Sequence, residues 1–180
     1  NNDILYNFLK KKNYNVFRGS NDNVLERYYK TAKKYSASTI IRLTADNPLV
    51  DHHLINKMLS KFFSLNKIDY LSNTLSPTYP DGIDVEIFTF EILKKALKNS
   101  HNNFYKEHVT PYFIDNDFVK KFNYSNKEDF SRFRFTIDEP KDLVFFKKLY
   151  QVYNSTKLLN WKNAVKICKN NKKIFKIISS

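Results

Sequence analysis

The 180-residue chain has one cysteine, two glycines, one methionine and one tryptophan. A lone cysteine, Cys168, excludes an internal disulfide and a cysteine-rich metal site, and it fits a reducing, cytoplasmic compartment. The two glycines, Gly19 and Gly82, lie far apart and exclude a glycine-rich phosphate loop. The four histidines, His52, His53, His101 and His108, lack the spacing of zinc ligands, and there is no serine-nucleophile elbow. No apolar run approaches the roughly 20 residues needed to span a bilayer, so no membrane partner is expected. The opening Asn1-Asn2-Asp3 carries neither an initiator Met nor a basic stretch followed by an apolar one. It reads as the start of a fragment or of a trimmed chain, and not as a signal peptide.

What is present is a core-forming composition. Apolar residues make up 42% and aromatics 16%, enough for one compact domain over 1–180. The net charge of +13 raises the question of nucleic acid. Lysine supplies 26 of the 31 basic residues, however, and 22 asparagines accompany it, an enrichment that an AT-rich coding sequence produces. Base reading leans on arginine forks, and the five arginines here are scattered. A solvated lysine-rich surface is the better reading, with no nucleic-acid partner expected. Such a surface still attracts a small anionic substrate.

Short β-branched runs alternate with amphipathic helical stretches, which predicts an α/β fold with a mostly parallel sheet. Helices are expected over 3–12, from an Asn21–Asp22 cap to Lys34, and after Asp51 with the stripe Leu54, Ile55, Met58, Leu59, Phe62 and Phe63. Others are expected over 89–99, around Glu107–Tyr112, from Pro140 (Leu143, Phe146, Leu149, Tyr150, Tyr153) and from about Asn160 (Trp161, Ala164, Val165, Cys168). Strands are expected at Tyr14–Phe17, Ser38–Leu43, Ile68–Leu71, Ile83–Phe88, Phe118–Tyr124 and Arg132–Ile137. Ser72–Gly82, with Pro77 and Pro80, is the longest irregular segment.

Three acidic spots lie where a strand hands over to a loop or helix, which in open α/β sheets is where ligands sit. Asp46 follows the buried strand, although a polar turn explains it as well. Asp84 and Glu86 share one face of an alternating strand, opposite Ile83, Val85 and Ile87, and a solvated face accounts for that equally. Asp138 precedes the Pro140 helix, where an ordinary N-terminal cap would suffice. Glu107-His108 reads either as a catalytic pair or as a buried polar contact.

The order of these motifs is more specific than any one of them. The series begins Val16-Phe17-Arg18-Gly19-Ser20, Asn23-Val24-Leu25-Glu26-Arg27-Tyr28-Tyr29 and Ile41-Arg42-Leu43-Thr44-Ala45-Asp46-Asn47-Pro48-Leu49. It continues Asp69-Tyr70-Leu71-Ser72-Asn73-Thr74, Tyr79-Pro80-Asp81-Gly82-Ile83-Asp84-Val85-Glu86, Glu107-His108-Val109-Thr110-Pro111-Tyr112 and Thr136-Ile137-Asp138-Glu139-Pro140. Over roughly residues 4–153 this succession resembles the spore coat polysaccharide type of CMP-sugar (acylneuraminate) cytidylyltransferases. The resemblance implies a three-layer αβα, Rossmann-like nucleotide-diphosphosugar-transferase fold. It also implies attack of a sugar-acid hydroxyl on the α-phosphorus of CTP, with Mg2+ and release of pyrophosphate. By motif match Asp46 and Asp138 would hold the metal, and Arg42 would join them in catalysis. Asn73, Asp84, Glu86, Glu107 and His108 would contact sugar or nucleotide. A homodimer is a further expectation, since related synthetases are often dimers.

The family opens with a strand, a basic glycine-containing loop that grips the triphosphate, and a second strand. The resemblance begins after them. The chain is therefore expected to be the C-terminal portion of a cytidylyltransferase domain, with N-terminal strands missing and inactive by itself. A non-catalytic binding or assembly module on the same fold is the alternative, and a basic nucleic-acid-binding domain resting on charge alone is a third reading.

Overall fold

The computed structural model describes residues 3–173. Its elements in chain order are α1 (Asp3–Lys11), α2 (Val24–Lys34), β1 (Thr39–Arg42), α3 (His52–Ser64), β2 (Tyr70–Ser72) and β3 (Glu86–Thr89). They continue with α4 (Phe90–Asn99), α5 (Asn103–His108), α6 (Pro111–Asp115), β4 (Lys121–Asn123), α7 (Pro140–Tyr153) and α8 (Trp161–Asn170). The class is α/β, as expected, with four strands in the order β1-β3-β2-β4. The sheet is mixed where a mostly parallel one was expected: β2 runs antiparallel to β3, with Leu71 opposite Ile87, and parallel to β4, with Leu71 beside Phe122. The antiparallel step follows from the connection. Residues 73–85 form an irregular loop with no crossover helix, which lets the chain return in the opposite direction.

Packing divides the chain into two units, Asn1–Ile40 with Thr89–Asp117, and Ile41–Phe88 with Phe118–Ser180. In the first, α2 lies against α4 and α5, and Tyr29 stacks on Phe90 with ring centroids 5.4 Å apart. Asn23 is the cap of α2, its side chain accepting from Glu26 N, one to two residues beyond the expected Asn21–Asp22. The expected strand at Tyr14–Phe17 is absent: the segment joins no ladder, and Phe17 instead lies under the Lys34 ammonium of α2. The helical piece expected around Glu107–Tyr112 is split into α5 and α6 by Val109. That buried residue has φ +68° and ψ −68°, and Thr110 N donates to His108 O across it at 2.8 Å, a strained γ-turn.

The second unit holds the main core. α3 buries Leu54, Met58 and Phe62 at four-residue spacing, and Phe63, expected in the stripe, points outward. Asp51 caps α3 as expected, accepting from His53 N at 2.8 Å, and its other oxygen accepts from Trp161 Nε1 at 3.1 Å at the start of α8. Phe133, Phe135 and Phe145 stack in succession at 6.2 and 6.1 Å and are fully buried, each worth roughly 1.5–3 kcal/mol of burial. The buried face of α7 comprises Asp142, Phe145, Phe146 and Leu149, while Leu143 and Tyr150 of the expected stripe are exposed. The strand expected at Arg132–Ile137 is reduced to a single parallel bridge between Arg134 and Asp81. No described helix is long and apolar enough to cross a membrane.

Candidate active site

Two loops of the second unit carry the acidic residues, and the backbone ties them together. Ile137 N donates to the carbonyl oxygen of Asp46 at 2.9 Å, which fastens the loop after β1 to the one before α7. Asp46 and Asp138 therefore stand at neighbouring backbone positions although 92 residues separate them in sequence. The third loop joins through Asp81, whose N–H donates to Phe133 O at 2.9 Å and whose carbonyl accepts from Phe135 N at 2.7 Å. Gly82 makes that approach close. At φ +90° it lies so near the Phe135–Thr136 peptide that an added Cβ would sit 2.5 Å from Phe135 C and O.

The carboxylates interact. Burial and the charges of Asp81, Glu86 and Asp46 push the Asp84 carboxyl up to about 6. Partial burial also raises Asp81, against the pull of Arg134 and with the push of Asp138 and Asp46. Arg134 is the compensating cation. Its guanidinium grips Asp142 with both terminal nitrogens, at 2.8 and 3.2 Å, reaches Asp138 Oδ2 at 2.5 Å and lies 3.7 Å from Asp81. Asp142 is wholly enclosed, accepts in addition from Asp138 N and Glu139 N, and is held down to about 2 chiefly by the Arg134 hydrogen bonds. The reach-back carboxylate at the start of α7 is thus Asp142, and the cap expected of Asp138 is not its role. The Asp138 side chain turns to Arg134 and to the Thr136 hydroxyl, 2.9 Å away.

The other expected residues fall into three groups. Glu86 is buried and not on a solvated face: it pairs with Arg42 and accepts from the Tyr70 hydroxyl at 2.6 Å, and burial of that phenol, then the Glu86 charge, drives it upward. Asn73 is also buried, its amide donating to Ile83 O and accepting from Val85 N, both at 2.9 Å, which holds the chain that carries Asp84. Glu107 and His108 belong to the first unit, where both are exposed on α5. Sequence reasoning passed over Arg134, Asp81 and Asp142. The one signal for Arg134 was a charge set between Phe133 and Phe135, two residues destined for the core.

Metal fit turns on Asp46. Its Oδ1 is buried without a hydrogen-bond partner, an oxygen donor of the hard type that Mg2+ takes. No group of three or more His, Cys, Asp or Glu side chains among the described residues forms a dedicated cage. A pair of carboxylates suits Mg2+, which keeps waters and substrate phosphates in its remaining positions.

Against this geometry, the cytidylyltransferase family model matches residues 2–174. The chain belongs to the cytidylyltransferase family. A solved cytidylyltransferase from Leptospira borgpetersenii serovar Hardjo-bovis superposes with a TM-score of 0.90 at 32% identity, over 96% of this chain and 73% of that one. An uncharacterized protein of Methanocaldococcus jannaschii is 37% identical over 143 residues, 78% of this chain and 57% of its own length. The spore coat polysaccharide biosynthesis protein SpsF of Bacillus subtilis is 33% identical over 153 residues, 83% of this chain and 62% of its own. The chain spans less than two thirds of the length of these two curated relatives. Membership of the cytidylyltransferases thus rests on nearly the whole of this chain.

Proposed function

We propose that this chain carries the metal- and sugar-facing part of a site that transfers CMP from CTP to a sugar acid, releasing pyrophosphate, for a surface polysaccharide or related glycan. The cytidylyltransferase family and the likeness to a spore coat polysaccharide biosynthesis protein support the substrate class. The observation that carries the reading is the Ile137–Asp46 backbone bond, which sets Asp46 beside Asp138 with an unbonded oxygen on Asp46.

Asp46 and Asp138 are the residues that would hold Mg2+, which when bound would neutralise charge on the phosphates. Phosphoryl transfer leaves the protein little covalent work, so positioning and electrostatics dominate. Arg134 orients Asp138, and Asp142 fixes Arg134. Asp84, with its raised carboxyl, is suited to accept a proton or hydrogen bond from a sugar hydroxyl near neutral pH. Arg42, Glu86 and Tyr70 form one connected set of an ion pair and a hydrogen bond, with Glu86 two residues along the chain from Asp84.

The test is pyrophosphate release from CTP with a panel of sugar acids, measured on the full-length protein that contains this chain and paired with Mn2+ binding followed by electron paramagnetic resonance. Asp46→Asn and Asp138→Asn are expected each to abolish turnover and to weaken Mn2+ binding at least about tenfold. Near-normal Mn2+ affinity in either variant would remove that residue from the metal site. CTP binding by the full-length protein without pyrophosphate release for any sugar acid would favour the non-catalytic module.

A further inference from the structure

We infer that Asn47 is a ligand-contacting residue of the carboxylate site, offering its amide to the metal-bound nucleotide; the inference rests on the function proposed above. Asn47 is 5% exposed, and both ends of its side chain, Nδ2 and Oδ1, are buried without a hydrogen-bond partner. Folded proteins almost never leave a primary amide in that state, because stripping it of water with no compensating bond is strongly unfavourable. Asn73 shows the ordinary case in the same unit, its donor and its acceptor both engaged inside the protein. The neighbouring Asp46 adds a third orphan atom, Oδ1, so three unanswered polar atoms sit on two consecutive residues.

Their chemistry is complementary to one class of ligand. Asp46 Oδ1 and Asn47 Oδ1 are hard oxygen acceptors that suit a divalent cation or its waters, and Asn47 Nδ2 is a donor for a phosphate oxygen. Asp46 O is held by Ile137 N at 2.9 Å, but the turn around Asn47 is only loosely closed on itself. Asn47 N donates to Thr44 O, and Val50 N to Asn47 O, at 3.4 Å in each case, near the limit of a useful bond. With Asp46 held by Ile137 N and Leu49 in the core, a small adjustment of the turn at Asn47 would turn the buried amide toward a ligand held between Asp46 and Asp138. Leu49, 2% exposed in the core, anchors the far end of that loop.

Two measurements on the full-length protein that contains this chain test this: thermal denaturation without ligand, and Mn2+ binding in the presence of CTP by electron paramagnetic resonance. Asn47→Leu keeps the shape and removes the polar atoms. It is expected to raise the melting temperature by a few degrees while weakening Mn2+·CTP binding at least about tenfold. Asn47→Ala, which fits whether or not leucine does, is expected to show the same loss of affinity. Binding within twofold of wild type in both variants would overturn the inference. So would a lower melting temperature in Asn47→Leu with unchanged affinity, since the amide would then be satisfied inside the free protein. If the unmodified full-length protein takes up no Mn2+·CTP, the proposed function fails first and the inference falls with it, a result distinct from a failure of Asn47 alone.

Discussion

Replacing Asp84 by asparagine is expected to stabilise the protein, and to do so only above acid pH. Unfolded, the carboxyl ionises near its ordinary 3.8; folded, burial and the charges of Asp81, Glu86 and Asp46 lift it to about 6. Between those values the native state holds a proton that the unfolded state has released. Native stability therefore falls as the pH rises through this window, and the deficit is complete above about pH 6. A shift of roughly two units at about 1.4 kcal/mol each sets an upper bound near 3 kcal/mol, and partial solvent access lowers it to about 1–2 kcal/mol. Asparagine keeps the shape and the hydrogen bond from Gly82 N, so little else changes. For a chain of this size that gain corresponds to roughly 2–8 °C in melting temperature at pH 8, shrinking to nothing near pH 4. Thermal melts by circular dichroism at pH 4, 5, 6, 7 and 8 measure it. A difference between variant and wild type that stays flat across the range would refute the reasoning, because an uncharged-residue effect on packing carries no pH dependence.

Gly82→Ala is expected to destabilise by about 2–5 kcal/mol, combining positive φ with a backbone collision against Phe135; a melting point within 1–2 °C of wild type would contradict that geometry. Arg134→Met strands the enclosed Asp142 carboxylate and is expected to lose about 3–5 kcal/mol, of which Asp142→Asn added to it recovers a substantial part. Urea denaturation of the two single variants and the double variant measures that coupling, and strict additivity would show that the pair does not act as a unit.

Much of the helical framework was legible because it rests on local rules. Asp51 caps α3, Pro140 opens α7, and Trp161, Ala164, Val165 and Cys168 line the buried face of α8, each readable from spacing alone. The strands were located but not delimited. Each is only three or four residues long, so its ends depend on partners distant in sequence, and Arg132–Ile137 keeps one bridge because Gly82 and Asp81 meet it at a single point. The rotation of α7 follows from Asp142: a carboxylate fully charged by Arg134 replaces Leu143 on the inner face, against what hydrophobic spacing alone suggests. The acidic positions Asp46 and Asp138 were legible as residues that follow expected strands, although only the strand before Asp46 is formed. The approach of their two loops was not, since it runs through a backbone bond between residues 46 and 137 that has no side-chain signature.

Cys168, which began as evidence for what the chain lacks, is also a reporter built into it. It sits on α8 with its sulfur buried, and burial pushes the thiol up to about 11, so it is protonated and shielded in the native state. With no second thiol to compete, the rate at which a disulfide reagent modifies the chain is a direct clock of how often the α8 face parts from the core. Each candidate ligand can thus be ranked by how far it slows one chemical reaction, without a label, an engineered residue or turnover.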